Sequence, residues 1–391
     1  MYVYNINYLN GIIMISKLPN SGTSIFAVMS ALAKEYNAIN LSQGFPDFNC
    51  PDKLIEYVHH FMKEGFNQYA PMPGVPVLRE AISQKMEKLY GKFYEPSTEI
   101  TITAGGTQAL FTAISAFVHK GDEVILFEPA YDSYVPSILV NGGIPIPINL
   151  DEKDFSIDWE KVRYVLTTKT KMIILNTPHN PSGTVLRQND IDELIKIVNE
   201  NDLLLLSDEV YEHIIFDGEE HLSFAKYEEL ASRSLIVFSF GKTYHTTGWK
   251  MGYVLAPALL TSEFRKVHQF NVFCVNTPIQ LAYAEMMRDE EHYFGLSKFY
   301  QQKRDYFNGL MKDSKFTLTP SKGTYFQLLD YSNISDLSDM EFAKWLTKEI
   351  GVAVIPLSPF YSDGTNSKYI RICFAKSEEV LRASAEKLNG I

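Results

Sequence analysis

Short apolar runs alternate with amphipathic stretches between residues 100 and 255. The runs have the length and composition of buried strands: Ile100–Thr103, Glu123–Phe127, Ile144–Ile148, Lys171–Leu175, Leu203–Ser207, Leu235–Phe238 and Met251–Leu255. Stretches with helical spacing lie between several of them, at Thr107–His119, Ser133–Val140 and Asp190–Asn199. Strands that alternate with helices form a mostly parallel sheet covered on both faces. The pattern therefore predicts an α/β domain built on a seven-stranded sheet.

The C-terminal part of the chain has a different pattern. Long helical stretches are predicted at Gln280–Met287, Glu291–Lys312, Asp339–Glu349 and Ser377–Leu388, with strands at "GTYFQLLD", "VAVIPL" and "KYIRICFA". This mixture predicts a smaller α+β domain. We divide the chain into residues 1–45, an N-terminal arm and part of the small domain; 46–285, the large domain; and 286–391, the C-terminal small domain.

Composition narrows the class of protein. The chain has 391 residues, 46% apolar and 21% charged, as expected for a globular protein long enough for two domains. A formal net charge of −11 argues against nucleic acid as the main partner. The apolar patch Gly11–Ile15 is far too short to span a membrane, so we expect no membrane partner. Met1 and Met14 are both candidate starts.

Cysteine and histidine usage gives no sign of a disulfide framework or a metal site. Cys50, Cys274 and Cys373 are far apart and form no CxxC pair. This usage indicates a reducing compartment, and we expect a cytoplasmic protein. The nine histidines show no HExxH spacing, so we predict no bound metal.

Polar residues follow several of the predicted strands. Ligands of such sheets bind at the carboxyl ends of the strands, so these residues are candidates for a site. Gly105, Gly106 and Thr107 open the helix after Ile100–Thr103. Glycines allow close approach of the backbone, and a helix N-terminus favours a phosphate. Taken alone, this motif is a weak signal, because glycines before helices are common turn chemistry.

Three further motifs each have a functional and a structural interpretation. In "NTPHNPSG", Asn176 and Asn180 could direct amides at a site or belong to an ordinary loop. In "SDEVYEH", Asp208 could be a functional carboxylate, with Tyr211 three residues later, or the N-cap of the next segment. In "SFGKTYHTTGWKMGY", Lys242 follows a buried strand and could be functional or merely solvated.

These residues suit one ligand when they are taken together. A phosphate cradle, a carboxylate, a tyrosine, an asparagine and a lysine match a phosphorylated pyridine aldehyde. A lysine can form a Schiff base with the aldehyde, and an aspartate can keep the ring nitrogen protonated. A tyrosine and an asparagine can hydrogen-bond the ring oxygen.

The motifs resemble those of the class I aminotransferases, the fold-type-I enzymes that use pyridoxal phosphate. The resemblance covers nearly the whole chain, from "INLSQGFPDF" through "NQYAPMPG", "NTPHNPSG", "SDEVYEH" and "SFGKTYHTTGWKMGY" to "YIRICFAK". The sequences of these motifs are most similar to those of the methionine/kynurenine (aromatic) aminotransferase branch. The resemblance implies a large domain that binds pyridoxal phosphate on a mostly parallel sheet, a smaller α+β domain, and a homodimer with shared sites.

The resemblance also implies roles for individual residues. Lys242 would be the Schiff-base lysine, Asp208 would pair with the pyridinium nitrogen, and Tyr211 would bind the ring hydroxyl. The other implied cofactor contacts are Gly105, Gly106, Thr107, Tyr131, Asn180, Ser239, Lys250, and Tyr69 reaching the neighbouring subunit. The implied substrate contacts are Phe26, Gly44, Asn180 and Arg371, the last binding the α-carboxylate. Many relatives have arginine where Lys250 stands, and a lysine offers a point charge rather than a fork.

The implied reaction moves the amino group of methionine, phenylalanine, tyrosine or kynurenine to a 2-oxo acid by a ping-pong mechanism. No second arginine can be placed for a distal carboxylate, and the apolar pocket candidates are Phe26, Tyr131, Phe273 and Tyr325. A β-lyase of cysteine S-conjugates or cystathionine and a non-catalytic regulatory protein that binds the cofactor are alternatives. A nicotinamide dehydrogenase is disfavoured because no GxGxxG follows a strand.

Overall fold

The computed structural model describes residues 6–9 and 12–391, with side chains from residue 15 onwards. The candidate start at Met1 lies outside the described residues. The strands are β1 Ile6–Leu9, β2 Ile12–Ile15, β3 Ile39–Asn40, β4 Ile100–Thr103, β5 Glu123–Glu128, β6 Ile144–Asn149, β7 Thr170–Asn176, β8 Leu204–Asp208, β9 Ser234–Ser239, β10 Gly252–Leu255, β11 Phe326–Asp330, β12 Val352–Ala353, β13 Ile355–Pro356 and β14 Tyr369–Cys373.

The helices lie between and around these strands. They are α1 Ile25–Glu35, α2 Asp52–Lys63, α3 Pro76–Tyr90, α4 Gly106–Phe117, α5 Tyr134–Val140, α6 Trp159–Val165, α7 Gln188–Glu200, α8 Glu228–Ala231, α9 Phe240–Thr243, α10 Ala258–Asn271, α11 Thr277–Met286, α12 Glu290–Phe294, α13 Leu296–Leu310, α14 Asp339–Trp345 and α15 Glu378–Asn389. The stretch predicted as one helix over Glu291–Lys312 is divided at Gly295, a residue with low helix propensity. None of the helices in the described part of the chain is long and apolar enough to cross a membrane.

The large sheet confirms the predicted seven strands and their mostly parallel arrangement. Its order is β4-β10-β9-β8-β7-β5-β6. Strand β10 runs antiparallel to both of its neighbours, and the other pairs are parallel. Strand β8 therefore lies in the middle, with its carboxyl end, Asp208, beside that of β7.

Alternating residues of the central strands pack into two separate clusters. Leu205 and Ile236 belong to one apolar cluster, whereas Leu206 and Val237 belong to the other. All four side chains are fully buried. Because successive residues of a strand point to opposite faces, the two clusters are the two covered faces of the sheet. This double burial explains why the strands appear in the sequence as continuous apolar runs.

A second, antiparallel sheet has the order β11-β14-β13 and contains Arg371 in its middle strand. Strand β3 pairs in parallel with β12, which joins residues 39–40 to residues 352–353. This pairing links the N-terminal region to the C-terminal part of the chain, and the prediction that residues 1–45 belong in part to the small domain stays a prediction. The boundaries at residues 45 and 285 stay a prediction.

Candidate active site

A cavity of about 210 Å³ lies at the carboxyl ends of β4, β8 and β9. Every site residue predicted from the sequence except Tyr69 lines it: Phe26, Gly44, Gly105, Gly106, Thr107, Tyr131, Asn180, Asp208, Tyr211, Ser239, Lys242, Lys250 and Arg371. Parallel strands bring their carboxyl ends to one edge, which is why motifs distant in sequence meet here.

Lys242 lies in the short helix α9, directly after β9, and its amine is held by two oxygen atoms. Nζ is 2.6 Å from the hydroxyl of Tyr325 and 3.4 Å from the carbonyl oxygen of Gly44. Burial lowers the pKa of Lys242 to about 8, and the positive charges of Arg371 and Lys250 act in the same direction. An amine with such a pKa is partly neutral at pH 7, as a nucleophile or a general base requires.

Asp208 ends β8 and presents a buried carboxyl group to the cavity. Its Oδ2 accepts a 2.7 Å hydrogen bond from the hydroxyl of Tyr134, the first residue of α5. Burial raises the pKa of Asp208 to about 6, although the hydrogen bond from Tyr134 favours the ionised form. A cationic partner in the cavity would offset this cost of burial. Sequence reasoning missed Tyr134.

Arg371 is almost completely buried and points into the same cavity. Its Nη1 donates to Asn180 Oδ1 at 2.7 Å, and its Nη2 donates to the carbonyl oxygen of Ser42 at 3.2 Å. The guanidinium carbon is 3.8 Å from the ring centre of Phe326 and 5.3 Å from that of Phe26. Nε of Arg371 is buried and has no hydrogen-bond partner in the described part of the chain. A buried donor of this kind indicates a binding site for an anion.

The start of α4 forms a cradle with the segment that carries Lys250. Gly105 has a φ of +83°, which favours glycine, and a Cβ there would lie 3.6 Å from the backbone of Lys250. A Cβ on Gly252 would lie 3.2 Å from the carbonyl carbon of Gly105. The first backbone N–H groups of an α-helix have no partner within the helix. Because the two segments lie so close together, the free N–H groups at the start of α4 lie next to Lys250. This arrangement is typical of an anion-binding site.

Tyr131 and Tyr211 line the cavity on different elements. The hydroxyl of Tyr131 is 3.1 Å from Thr107 Oγ1 at the start of α4. The ring of Tyr211 packs edge-on against Tyr325 at 5.2 Å, and burial raises its pKa well above the ordinary value. Tyr211 therefore stays protonated and can donate a hydrogen bond.

Asn176, which ends β7, and Asn180, in the loop that follows, have different tasks. Asn176 Nδ2 donates to the carbonyl oxygen of Asp208 at 2.9 Å, and its Oδ1 accepts from the backbone N–H of Asn180 at 2.7 Å. Asn176 therefore joins the loop to the end of β8. Because Oδ1 of Asn180 accepts from Arg371, its Nδ2 is the atom that can donate to a ligand.

Two of the sequence assignments need correction. Phe273 does not line the cavity of its own chain, because it is half exposed at the end of α10 and packs 5.3 Å from the ring of Tyr69. Tyr325 was expected as an apolar wall, but its hydroxyl binds Lys242. Tyr69 is 83% exposed and lies outside the cavity, so its predicted role toward a neighbouring subunit stays a prediction. Phe326, which packs on Arg371, was missed because only tertiary packing brings the two together.

Comparison with known proteins gives the class of this chain. The family profile described as aminotransferase class I and II matches residues 36–388. The chain is 52% identical to methionine aminotransferase of Escherichia coli (strain K12), over 98% of this chain and 99% of that protein. It is 34% identical to kynurenine–oxoglutarate transaminase 1 of Homo sapiens, over 91% of this chain and 93% of that protein.

A solved structure agrees with these matches. YbdL from Escherichia coli, for which a methionine aminotransferase function was identified, superimposes with a TM-score of 0.95 at 51% identity, over 97% of this chain and 100% of that chain. The fold and the cavity thus define an aminotransferase. The chain belongs to the class I and II aminotransferase family. The β-lyase, regulatory and dehydrogenase alternatives receive no support from these matches.

Proposed function

We propose that this aminotransferase uses pyridoxal phosphate to move the amino group of a hydrophobic, aromatic or sulfur-containing amino acid to a 2-oxo acid. The observation that carries the proposal is the charge of the cavity. Lys242, Lys250 and Arg371 line it, and Asp208 is the only carboxylate among its lining residues in the described part of the chain. None of the three cations takes part in a salt bridge between described residues. Such an excess of unpaired positive charge suits a phosphate together with a substrate carboxylate.

The donor set fits the cofactor part by part. Gly105, Gly106 and Thr107 at the start of α4, with Ser239 and Lys250, would bind the phosphate. Asp208 would hold the proton of the ring nitrogen, because a carboxylate buried without a cation is unfavourable. Tyr211 and the Nδ2 of Asn180 would donate to the ring oxygen, and Tyr131 would pack against the ring face.

The chemistry is divided between the cofactor and the side chains. When bound, pyridoxal phosphate supplies an aldehyde for the amino group and a ring that accepts the electron pair of the Cα–H bond. Arg371 binds the α-carboxylate and so orients Cα, with Gly44 lining that end of the cavity. The amine of Lys242 would take the proton from Cα and deliver it to the cofactor carbon that carried the aldehyde, as its lowered pKa allows. The first product would be a 2-oxo acid, while the amino group would stay on the cofactor and then pass to a second 2-oxo acid, which would leave as a new amino acid.

The lining of the cavity favours a substrate with an apolar side chain. Phe26, Tyr131 and Phe326 line the cavity, and Arg371 is the only arginine among the lining residues in the described part of the chain. A distal carboxylate would therefore lack a guanidinium partner of its own. Relatives named for methionine and kynurenine support the same substrate class. Apolar pockets discriminate only modestly among such side chains.

A homodimer with shared sites is part of the proposal. Tyr69 is 83% exposed and Phe270 is 86% exposed, and Phe273 packs against Tyr69. Large aromatic side chains grouped on a surface favour an interface with another protein. We infer that this surface is covered by a second copy, with Tyr69 contributing to its phosphate site. Location in the cytoplasm stays a prediction from the cysteine usage.

Profiling of amino donors with the purified, cofactor-loaded protein tests the proposal. We expect methionine, phenylalanine, tyrosine and kynurenine to be converted to their 2-oxo acids only while a 2-oxo acid acceptor is present. Borohydride reduction with pyridoxal phosphate should leave a pyridoxyl group on Lys242. Exclusive preference for aspartate would refute the substrate class, and an unlabelled Lys242 would refute the assignment of the cofactor site.

A further inference from the structure

The hydroxyl of Tyr325 lies between the amine of Lys242 and the backbone at Gly44. Tyr325 Oη is 2.6 Å from Lys242 Nζ and 2.5 Å from the carbonyl oxygen of Gly44. Lys242 Nζ also lies 3.4 Å from the same carbonyl oxygen. Lys242 follows β9, Tyr325 directly precedes β11, and Gly44 follows β3. The contact therefore joins the catalytic lysine to the small-sheet region.

The direction of each hydrogen bond in this group follows from its chemistry. A carbonyl oxygen only accepts, so the O–H of Tyr325 donates to Gly44. Toward Lys242, Tyr325 Oη is therefore an acceptor. Both atoms that contact the amine of Lys242, Tyr325 Oη and the Gly44 carbonyl oxygen, are therefore acceptors. A neutral amine has two N–H donors and one lone pair. With both N–H groups bound, the direction of the lone pair is fixed.

We propose that Tyr325 is a positioning residue that holds the amine of Lys242 with its lone pair free for proton transfer at the substrate Cα. This inference rests on the proposed function, because it takes Lys242 as the base. Without the hydroxyl of Tyr325, the amine keeps only the longer contact to Gly44 and can rotate about its Cε–Nζ bond. The base would then spend less time in the reactive orientation.

The packing around Tyr325 keeps its hydroxyl in place. The side chain is fully buried, and its ring lies 5.2 Å from that of Tyr211 and 5.8 Å from that of Tyr300. Substitution by phenylalanine would keep these contacts and remove only the oxygen. Tyr300 provides a matched control, because its buried hydroxyl binds His245 Nδ1 at 3.0 Å and makes no described contact with Lys242.

Several other groups influence the charge of Lys242. Asp208 and the thiol of Cys373 favour the charged amine, whereas Arg371 and Lys250 disfavour it. The uncharged phenols of Tyr211 and Tyr325 complete the surroundings. Tyr325→Phe leaves all of the charged groups unchanged. A change in the titration of Lys242 in this variant therefore reports on the hydroxyl.

The first measurement uses the cofactor-free protein and does not depend on turnover. Competitive acetylation at a series of pH values, read by mass spectrometry of the peptide with Lys242, gives the pKa of its amine. An acceptor that binds the ammonium form raises a lysine pKa, so Tyr325→Phe should lower it by about one unit. Acetylation at pH 7 should then rise about fivefold and reach the same alkaline plateau. Tyr300→Phe should titrate like the wild type.

The second measurement uses the loaded enzyme. Tyr325→Phe should lower kcat about 10- to 100-fold with KM changed less than about threefold, because none of the proposed substrate contacts is removed and the base is misplaced. A more easily deprotonated lysine combined with slower turnover is not expected from a general loss of packing. Wild-type titration of Lys242 in Tyr325→Phe, or an equal fall of kcat in Tyr300→Phe, would overturn the inference. If borohydride leaves no pyridoxyl group on wild-type Lys242, the proposed function itself fails, and the inference fails with it.

Discussion

The hydroxyl of Tyr134 donates a 2.7 Å hydrogen bond to Asp208 Oδ2 and joins the start of α5 to the end of β8. This contact holds the carboxyl group at the edge of the cavity. It also provides a neutral donor that reduces the cost of ionising a buried acid. The protonation of Asp208 is therefore set by two opposed effects, burial and this hydrogen bond.

We predict that Asp208 makes the stability of the apoprotein depend on pH. Burial raises its pKa to about 6, whereas an unfolded aspartate titrates near about 3.9. Its contribution to stability is thus full below about pH 4 and is lost as the pH rises through 6. Relative to the wild type, the free energy of unfolding of Asp208→Asn should rise by about 2 kcal/mol between about pH 4 and 7. Urea unfolding of both proteins measures this difference.

Asp217→Asn is the matched control for the pH experiment. Hydrogen bonds from Arg304 lower the pKa of Asp217 to about 2. Its contribution to stability is lost only as the pH falls from about 4 toward 2, so the difference between Asp217→Asn and the wild type should be constant from about pH 5 to 7. A difference for Asp208→Asn that is equally constant would contradict the burial of an acid with a raised pKa.

Lys242→Ala should abolish transamination and leave the fold intact. Removal of the amine eliminates both the tether and the base, so turnover should fall by about 10⁴-fold or more. Steady-state assays and circular dichroism measure the two properties. Lys303→Ala is a suitable control, because this half-buried lysine donates to the carbonyl oxygen of Lys376 at 2.8 Å and lies outside the cavity. Near-normal turnover of Lys242→Ala would contradict the mechanism.

Arg371→Lys should weaken recognition of the substrate α-carboxylate. A lysine cannot reproduce the fork that bonds Asn180 and the Ser42 carbonyl while it binds a carboxylate. Loss of one charge-assisted hydrogen bond corresponds to about a 10- to 100-fold fall in kcat/KM for the amino donor. Arg79→Lys replaces another buried arginine that does not line the cavity and should keep kcat/KM. Equal effects of the two substitutions would remove Arg371 from the site.

Gly105→Ala should weaken the binding of pyridoxal phosphate. Gly105 has a φ of +83° directly before α4, so a side chain there strains the backbone that places the first N–H groups of the helix at the cavity, and the new Cβ would fill the space beside Lys250 at 3.6 Å. Gly218 has a φ of +73°, and a Cβ added there would meet only open space. Both alanine variants should lose about 1 kcal/mol of stability through the unfavourable φ. Only Gly105→Ala should raise the Kd of pyridoxal phosphate, by about tenfold, as measured by fluorescence titration.

Comparison of Gly105→Ala with Gly218→Ala distinguishes the effect of backbone strain from a specific effect on the phosphate site. Equal cofactor affinity in Gly105→Ala and the wild type would show that the start of α4 does not approach the phosphate. A similar loss of affinity in Gly218→Ala would attribute the effect to general destabilisation. Thermal unfolding of both variants supplies the stability values needed for the comparison.

The sequence by itself determined the strands of the large sheet and the motifs at their ends. Buried strands such as Leu204–Asp208 have no solvent-exposed face, so they appear as unbroken apolar runs. A polar residue at the end of such a run is conspicuous, and Asp208 and Lys242 were found in this way. Their grouping also followed, because parallel strands align their carboxyl ends at one edge.

Only the tertiary structure decided which side chains support these residues. Tyr134, Tyr325 and Phe326 are three aromatic residues in a chain that contains 23 tyrosines and 25 phenylalanines. The sequence around each residue does not show which tyrosine donates to Asp208, which tyrosine binds Lys242 or which phenylalanine packs on Arg371. Each contact joins segments that are far apart along the chain. Local patterns of polarity specify elements and their ends, whereas contacts of this kind depend on how the complete set of elements packs.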